Sequence, residues 1–175
     1  MTTGISAEQR NILEQRAAAL AREETARDDR QFLEVTSFNL GKERYAVETV
    51  LIKEVIPLDG LTPLPCVPSF IAGIMNVRGR ILSLIDLRNL LELPGENSDT
   101  GTVIILAAAA MEFGLVVDAV EAVLRIPVDD LQESLTMIEE KRIAYFKGIT
   151  ADRLMLLDGI GLLNDSRLVI HENVL

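Results

Sequence analysis

The stretch Phe70–Leu91, FIAGIMNVRGRILSLIDLRNLL, places two apolar runs on either side of Asn76-Val77-Arg78-Gly79-Arg80. Runs rich in Ile, Leu and Val that are joined by a short polar link containing glycine predict two adjacent strands with a tight turn. Arg78 and Arg80 are separated by a single residue, so an extended chain would project both side chains to one face. Because an unpaired guanidinium is costly to bury, we expect both at the surface, either on a solvated hairpin tip or at a docking point for an acidic or helical partner.

The composition excludes several classes of protein. A chain of 175 residues holds one ordinary domain or two small fused ones. The net charge of -10 repels a phosphate backbone, so nucleic acid is not expected as a partner. With Cys66 as the only cysteine and a single histidine, the chain offers no disulfide and no zinc cluster, and we expect neither metal nor cofactor. Residues 1–30 contain no long apolar segment, which predicts a cytoplasmic protein without direct membrane insertion.

The N-terminal segment, residues 1–31, differs from the rest of the chain. Ser6-Ala7-Glu8-Gln9 matches a capping box, and helix-forming residues continue to about Ala26. Leu13, Ala17 and Leu20 form only a narrow apolar stripe. This segment is therefore predicted to be a helical extension, followed by a domain over residues 32–175.

From Phe32 onward, short β-branched runs alternate with turn residues, which predicts an all-β domain. The run Ala107–Ala110 is the weakest strand signal, because alanine favours helix over strand. The predicted strands are Phe32–Leu40, Arg44–Val50, Lys53–Leu58, Gly73–Val77, Arg80–Leu87, Thr102–Ala109, Glu112–Val117, Val120–Ile126, Ile143–Ile149 and Arg153–Leu157.

The two sets of strands resemble each other in sequence. Pro57 aligns with Pro127, Gly73 with Gly148 and Asp86 with Asp158, and aliphatic residues around each of these positions align as well. Three blocks in the same order favour a duplication over chance similarity. We therefore expect two five-stranded lobes, about 32–95 and 101–164, with a groove between them of the kind that receives a helix or an extended peptide.

No catalytic constellation is recognisable in the sequence. His171, the single histidine, lies in a polar tail without a nucleophile partner. Asp86 and Asp158 are conceivable as paired carboxylates, but each occupies the same place in its own repeat, at the end of a strand before a Leu-rich turn. A structural role at a strand-to-helix turn is the better interpretation of both.

Four motifs in order carry a family resemblance: Tyr45–Glu48, Glu54–Ile56, Asn76–Gly79 and Ile85–Arg88. Over about Phe32–Leu163 the chain resembles the CheW family of chemotaxis coupling proteins. The resemblance implies two intertwined SH3-like five-stranded barrels and no enzymatic activity. It also implies two partners, the cytoplasmic tips of chemoreceptors and the regulatory domain of a CheA-type histidine kinase.

The resemblance also implies a set of partner-facing residues, without dividing them between receptor and kinase: Ile52, Glu54, Gly73, Asn76, Arg78 and Gly79. Since the second repeat reads Thr150-Ala151-Asp152-Arg153 in place of the Asn-Val-Arg-Gly turn, the turn residues are expected to carry the function. The leading hypothesis is a non-catalytic adaptor between receptors and kinase. The alternatives are a module of a surface-sensing or motility pathway, a competitor for the kinase, and a small metal-dependent β-barrel enzyme using Asp86 or Asp158.

Overall fold

Short strands are the main regular secondary structure of the described residues. The computed structural model describes residues 11–18, 30–95, 100–133 and 144–168, and residues 11–18 form helix α1. The other elements are β1 (Phe32–Leu40), β2 (Glu43–Glu48), a 3-10 turn (Thr49–Leu51), β3 (Ile52–Pro57), β4 (Ile71–Val77), β5 (Arg80–Asp86), α2 (Leu87–Leu90), β6 (Thr102–Ala108), β7 (Met111–Val117), β8 (Ala119–Pro127), a second 3-10 turn (Val128–Asp130), β9 (Phe146–Ile149), β10 (Leu154–Leu157) and α3 (Gly159–Asn164).

The predicted strands are confirmed, with small shifts at their ends. The alanine-rich run stays in strand β6 as far as Ala108. Ile143 lies outside the described residues. Helix α1 is exposed along its whole length, including Ile12 and Leu13, whereas the capping box at Ser6 lies outside the described residues.

The ten strands form two mixed five-stranded sheets, which we call sheet 1 (order β8-β1-β2-β10-β9) and sheet 2 (order β3-β6-β7-β5-β4). In each sheet one pair is parallel, β10 with β2 and β5 with β7, and the other pairs are antiparallel. The all-β prediction is therefore confirmed.

Neither sheet coincides with one half of the chain. Sheet 1 contains the first two strands of the first repeat and the last three of the second, and sheet 2 contains the converse set. The expectation that 32–95 and 101–164 form separate lobes is therefore wrong, whereas the intertwining implied by the family resemblance agrees with the exchange. Sequence similarity shows which strands are equivalent, but an exchanged strand buries the same face as an unexchanged one, so the pattern does not reveal which copy supplies it.

Strand register corrects one of the three aligned blocks. The chain passes from one sheet to the other before β3 and again before β8, and each of these edge strands carries a β-bulge. Lys53 is the extra residue of β3, and Glu121 is the extra residue of β8. We call the pairing of Lys53 with Glu121 the bulge alignment, and it replaces the pairing of Pro57 with Pro127. The prolines misled the sequence alignment because β8 has nine residues and β3 only six, so each proline ends a strand of different length.

The other two aligned blocks are confirmed by the register. Gly73 pairs with Leu84 in sheet 2, and Gly148 pairs with Leu156 in sheet 1. Each leucine lies two residues before the aspartate at the end of its strand. We call the pairing of Asp86 with Asp158 the cap alignment. Together, the bulge and cap alignments assign strand positions of one repeat to strand positions of the other, and the β9–β10 turn is three residues shorter than the β4–β5 turn.

The open edges of each sheet are joined by one isolated bridge. In sheet 2, Thr62 exchanges two backbone hydrogen bonds with Ile74, at 2.8 and 2.9 Å, and in sheet 1 Gln132 does the same with Ile149, at 3.0 and 3.1 Å. Gly73 makes the first bridge possible: its φ is +147°, and an added Cβ would lie against the carbonyl oxygen of Thr62. Each sheet thereby closes towards a barrel.

The described apolar side chains form three clusters. One lies inside sheet 2 around Leu84 and Ile105, and one lies inside sheet 1 around Val35 and Leu156. The largest lies between the two sheets and combines residues of both with residues of the helices: Phe38, Leu40, Tyr45, Val47, Leu51, Ile71, Ile85, Leu87, Leu91, Ile104, Leu106, Phe113, Leu115, Val117, Tyr145, Phe146, Leu157, Leu162, Leu163 and Leu168. The two sheets are thus one packed unit.

The two aspartates at the strand-to-helix turns have the predicted structural role. Asp86 accepts a hydrogen bond from the backbone N–H of Asn89 at 3.0 Å, and Asp158 accepts one from Gly161 at 3.0 Å. Each carboxylate therefore caps the N-terminus of the helix that follows its strand. This geometry removes the reason to regard the pair as acid–base catalysts.

Substituting Gly73 by alanine is expected to open the seam of sheet 2. The new Cβ would collide with the backbone at Thr62, and the positive φ would strain any side chain, so we expect a loss of about 2–4 kcal/mol in the free energy of unfolding. Urea denaturation measures this loss. Gly79→Ala is the matched control, because Gly79 also has a positive φ but no atom lies within 4 Å of its added Cβ; an equal loss in both variants would contradict the collision.

The last described residues are held to the domain by Tyr145, Asp165 and Arg167. The Tyr145 hydroxyl donates to Asp165 at 3.0 Å, and Arg167 donates to the same carboxylate, at 2.6 Å from Nη2. Hydrogen bonds from Arg167 hold the pKa of Asp165 at about 2, and burial together with Asp165 raises the pKa of Tyr145. This anchor precedes Leu168, which is buried in the core between the sheets.

The Asp165 anchor predicts an acid-sensitive contribution to stability. Because the pKa of Asp165 falls from 3.8 to about 2 on folding, its contribution is present above pH 3.8 and is lost as the pH falls through about 2. Asp165→Asn should lower the free energy of unfolding by up to about 2 kcal/mol at pH 7. Urea denaturation from pH 7 to pH 2 should show the two proteins converging at low pH, whereas parallel curves would contradict the assignment.

Candidate functional site

The hairpin between β4 and β5 has a two-residue turn formed by Arg78 and Gly79. Both residues have positive φ, +50° and +84°, and Val77 pairs with Arg80 across the turn. Positive φ at both central positions is the signature of a type I′ turn, whose twist matches that of the flanking strands. The side chain of Asn76 accepts a hydrogen bond from the Gly79 N–H at 2.8 Å, which fixes the turn.

Arg78 forms a two-pronged ion pair with Glu54. Nη2 lies 2.6 Å from Oε1, and Nη1 lies 3.2 Å from Oε2. The Glu54 side chain is only 20% exposed, but that of Arg78 is 77% exposed, so the outer part of the guanidinium faces solvent. Because β3 and the β4–β5 hairpin lie at opposite ends of the strand order, this pair joins the two edges of sheet 2. We call Glu54, Asn76, Arg78 and Gly79 the hairpin site.

Arg80 does not share a face with Arg78. It contacts Glu112 at 2.5 Å, and Lys53 lies 3.1 Å from the same carboxylate. Burial alone would raise the pKa of Glu112, but the hydrogen bonds from Arg80 and Lys53 outweigh it and the pKa is lowered. The expectation of one shared face is wrong because the turn at Arg78 is left-handed rather than extended. The two arginines therefore serve two different carboxylates.

The structure separates the remaining predicted residues from the hairpin site. Gly73 is buried beneath Thr62, and it acts on the surface only through the seam that it permits. Ile52 is half-buried at the start of β3 and packs against the cluster between the sheets. Of the six predicted residues, the four of the hairpin site are brought together at one end of sheet 2.

The equivalent end of sheet 1 carries an ion network in which the positive and negative positions are exchanged relative to the network around Glu112. Arg44 contacts Glu121 at 3.1 Å and Asp152 at 3.5 Å. The bulge alignment matches Arg44 with Glu112 and Glu121 with Lys53, and the cap alignment matches Asp152 with Arg80. Hydrogen bonds from Asn39 and Arg44 lower the pKa of Glu121, and a hydrogen bond from Thr150 lowers that of Asp152.

The Glu54–Arg78 pair has no counterpart in the second repeat. The bulge alignment places Ala122 at the position of Glu54. The β9–β10 turn is three residues shorter than the β4–β5 turn, so it has no residue equivalent to Arg78. The ion network around Glu112 therefore belongs to the duplicated scaffold. The hairpin site is specific to one copy.

A second surface was not predicted from the sequence. Val50, in the 3-10 turn between β2 and β3, is 83% exposed, and Ile160, in α3, is 41% exposed. Their sequence neighbours Leu51 and Gly159 pack together, since an added Cβ on Gly159 would lie 2.6 Å from Leu51 Cδ1. Ala109, in the β6–β7 turn, is also exposed. The bulge and cap alignments match Val50, Ala109 and Ile160 with Asp118, Gly41 and Arg88, and Asp118 contacts both Gly41 and Arg88. On this equivalence we group Val50, Ala109 and Ile160 and call them the apolar patch.

The described residues give no indication of a cofactor site. No group of three or more His, Cys, Asp or Glu side chains is arranged to hold a metal ion in the part of the chain that the structure describes. Cys66 is exposed and forms no disulfide. None of the described helices is long and apolar enough to span a membrane.

Comparison with known proteins agrees with this architecture. The family model of the CheW-like domain matches residues 34–167. The chain is 30% identical to the chemotaxis protein CheW of Thermotoga maritima, over 86% of this chain and 90% of the relative, and 30% identical to that of Treponema pallidum, over 70% and 74%. The crystal structure of the scaffolding protein TtCheW from Thermoanaerobacter tengcongensis superposes with a TM-score of 0.64 and 28% identity, covering 73% of this chain and 89% of that one.

The two mixed sheets and the repeat thus define a chemotaxis scaffold, a class without catalytic activity. The chain belongs to the CheW family.

Proposed function

We propose that this protein is a cytoplasmic adaptor that couples the tips of chemoreceptors to a CheA-type histidine kinase. The observation that carries the proposal is the presence of two chemically different surfaces, neither of which recurs at the equivalent position of the duplicated fold. The hairpin site is charged and ordered by hydrogen bonds, whereas the apolar patch consists of exposed aliphatic side chains. An adaptor for two different partners needs two such surfaces.

The hairpin site fits a polar contact with the kinase. Arg78 is held by Glu54 in one orientation, so less side-chain entropy is lost when its exposed face binds a carboxylate or carbonyl group. The turn is equally fixed, because Asn76 bonds the Gly79 N–H. A preformed surface of this kind suits a partner of defined shape, such as a folded regulatory domain.

The apolar patch fits the helical tip of a receptor. Val50 offers an almost fully exposed aliphatic side chain, and the single methyl group of Ala109 allows a helix to approach the β6–β7 turn closely. Helices that dock in grooves do so through apolar side chains at three- and four-residue spacing. The patch lies where the chain crosses from sheet 1 to sheet 2, so an occupant would touch both sheets.

Reconstitution with a receptor fragment and the kinase tests the proposed function. An adaptor should raise the rate of kinase autophosphorylation in the presence of the receptor fragment, and the increase should require all three proteins. A fall in kinase activity on addition of this protein would instead identify a competitor for the kinase. No binding to either partner would favour a different pathway.

Substitution of Arg78 separates the charge of the hairpin site from its geometry. Arg78→Glu should weaken kinase binding at least tenfold while changing the free energy of unfolding by less than about 1 kcal/mol, because the Arg78 side chain is largely exposed. The double variant Glu54→Arg/Arg78→Glu re-forms an ion pair with the charges exchanged. If the partner reads the positive charge, the double variant stays weak; if the pair only orders the turn, binding is restored.

The control for the Arg78 variants is Arg153→Ala. Arg153 is also exposed, also has a positive φ, and lies in the corresponding β9–β10 turn of the other repeat. Isothermal titration calorimetry with the isolated kinase regulatory domain gives the affinities. Equal losses in the Arg78 and Arg153 variants would contradict a specific role for the hairpin site.

A further inference from the structure

The ion pair between Arg88 and Asp118 contains the least exposed basic side chain among the ion pairs of the described residues. Nη2 of Arg88 lies 3.1 Å and 2.8 Å from the two carboxylate oxygens of Asp118. The Arg88 side chain is only 12% exposed and that of Asp118 is 36% exposed. A charge-assisted contact of this kind is stronger than a hydrogen bond between neutral groups.

This ion pair links the two sheets. Arg88 lies in α2, which follows β5 of sheet 2, and its Nη1 also reaches the carbonyl oxygen of Pro94 at 3.4 Å. Asp118 lies where the chain crosses from β7 of sheet 2 to β8 of sheet 1. Its carboxylate accepts a 2.6 Å hydrogen bond from the Gly41 N–H, in the β1–β2 turn of sheet 1, and its own N–H donates to the Asn39 carbonyl oxygen at 3.1 Å.

A cleft of about 610 Å³ lies beside the link and is lined in part by Arg88 and Asp118. Leu40 belongs to sheet 1, whereas the other strand residues that line the cleft, among them Ile71 and Val116, belong to sheet 2. The link is therefore a polar contact at the edge of the cleft, in addition to the apolar packing between the sheets.

The repeat shows that the opposite side of the interface lacks this link. The cap alignment places Ile160 at the position of Arg88, and the bulge alignment matches Val50 with Asp118 and Ala109 with Gly41. Gly41 and Ala109 share a positive φ, +62° and +52°, which supports their equivalence. Each of the three residues in this polar link, Arg88, Asp118 and Gly41, thus corresponds to one residue of the apolar patch.

We propose that Arg88 and Asp118 are positioning residues that form a latch on one side of the inter-sheet interface and thereby set the shape of the apolar patch on the other. A helical segment of a partner that binds across Val50 and Ile160 supplies the second contact between the sheets. Only the identity of that partner, the receptor tip, rests on the proposed function. The latch itself is a property of the free protein.

The repeat also supplies the variant that tests the latch. Arg88→Ile/Asp118→Val copies the residues that the chain tolerates at the equivalent positions, and it leaves no unpaired charge behind. Spin labels at Ile81→Cys in sheet 2 and Val123→Cys in sheet 1, both exposed positions, report the spacing of the sheets in a Cys66→Ser background. Pulsed electron–electron double resonance then gives the distribution of distances between the two spin labels.

The latch predicts a narrow distance distribution in the labelled parent protein and a broader one in the double variant, both without any partner. Saturating receptor fragment should narrow the distribution of the double variant again, and its affinity for that fragment should be about tenfold lower than that of the parent protein, within the usual range for coupled sites. Affinity for the kinase regulatory domain should be unchanged. A merely structural role would not separate the two affinities in this way.

Identical distance distributions in the parent protein and the double variant would overturn the latch. If the double variant does not fold, as judged by circular dichroism, Arg88→Lys takes its place, because it keeps the charge but loses the second nitrogen, which in Arg88 reaches the Pro94 carbonyl oxygen. The same comparison of distance distributions then decides the matter. Broadening that the receptor fragment fails to reverse would retain the latch but contradict the proposed partner of the apolar patch. The two proposals therefore fail separately.

Discussion

The exchange of strands between the two repeats is the constraint on which the rest of this structure depends. The chain crosses from one sheet to the other at Thr49–Leu51 and again at Asp118, so neither repeat completes a five-stranded sheet by itself. The buried residues between the sheets come from both repeats, and this core forms only when both are present. Stability and assembly are thus shared by the whole domain, and the long separation in sequence between β1 and its partner β8 makes its folding depend on non-local contacts.

Local signals in the sequence predicted local structure well. Strand positions, the closure of the Asn76–Arg80 turn and the helix-capping roles of Asp86 and Asp158 all follow from residue types within a few positions of one another. The CheW resemblance added the fold as a whole. What the residue pattern could not give was the choice between exchanged and unexchanged strands, since both choices bury the same side chains.

The candidate site was predictable only in part, for a related reason. Arg78, Asn76 and Gly79 stood out because the second repeat lacks their turn, but the partner of Arg78, Glu54, is distant in sequence and lies on the opposite edge of the sheet. The assumption of an extended chain at Arg78 failed because a type I′ turn requires positive φ there. Val50 and Ile160 carried no signal of their own. An exposed aliphatic side chain becomes informative only when its repeat counterpart is known to be a partly buried charged residue.

Comparison of the two repeats therefore separates scaffold from function more sharply than either repeat does alone. Features present twice, such as the aspartate caps, the seam bridges and the ion networks around Glu112 and Arg44, meet requirements that any closed sheet of this kind has. The positive and negative charges are exchanged between the two networks. The end of the sheet therefore needs a pair of opposite charges, but not a particular charge at a particular position. Features present in one repeat only are not needed to close a sheet of this kind. A symmetric pair of lobes would offer two copies of one surface, whereas the hairpin site, the latch and the apolar patch give a single domain two different surfaces held at a fixed spacing. That asymmetry is what an adaptor between unlike partners requires and what a purely structural duplication would not produce.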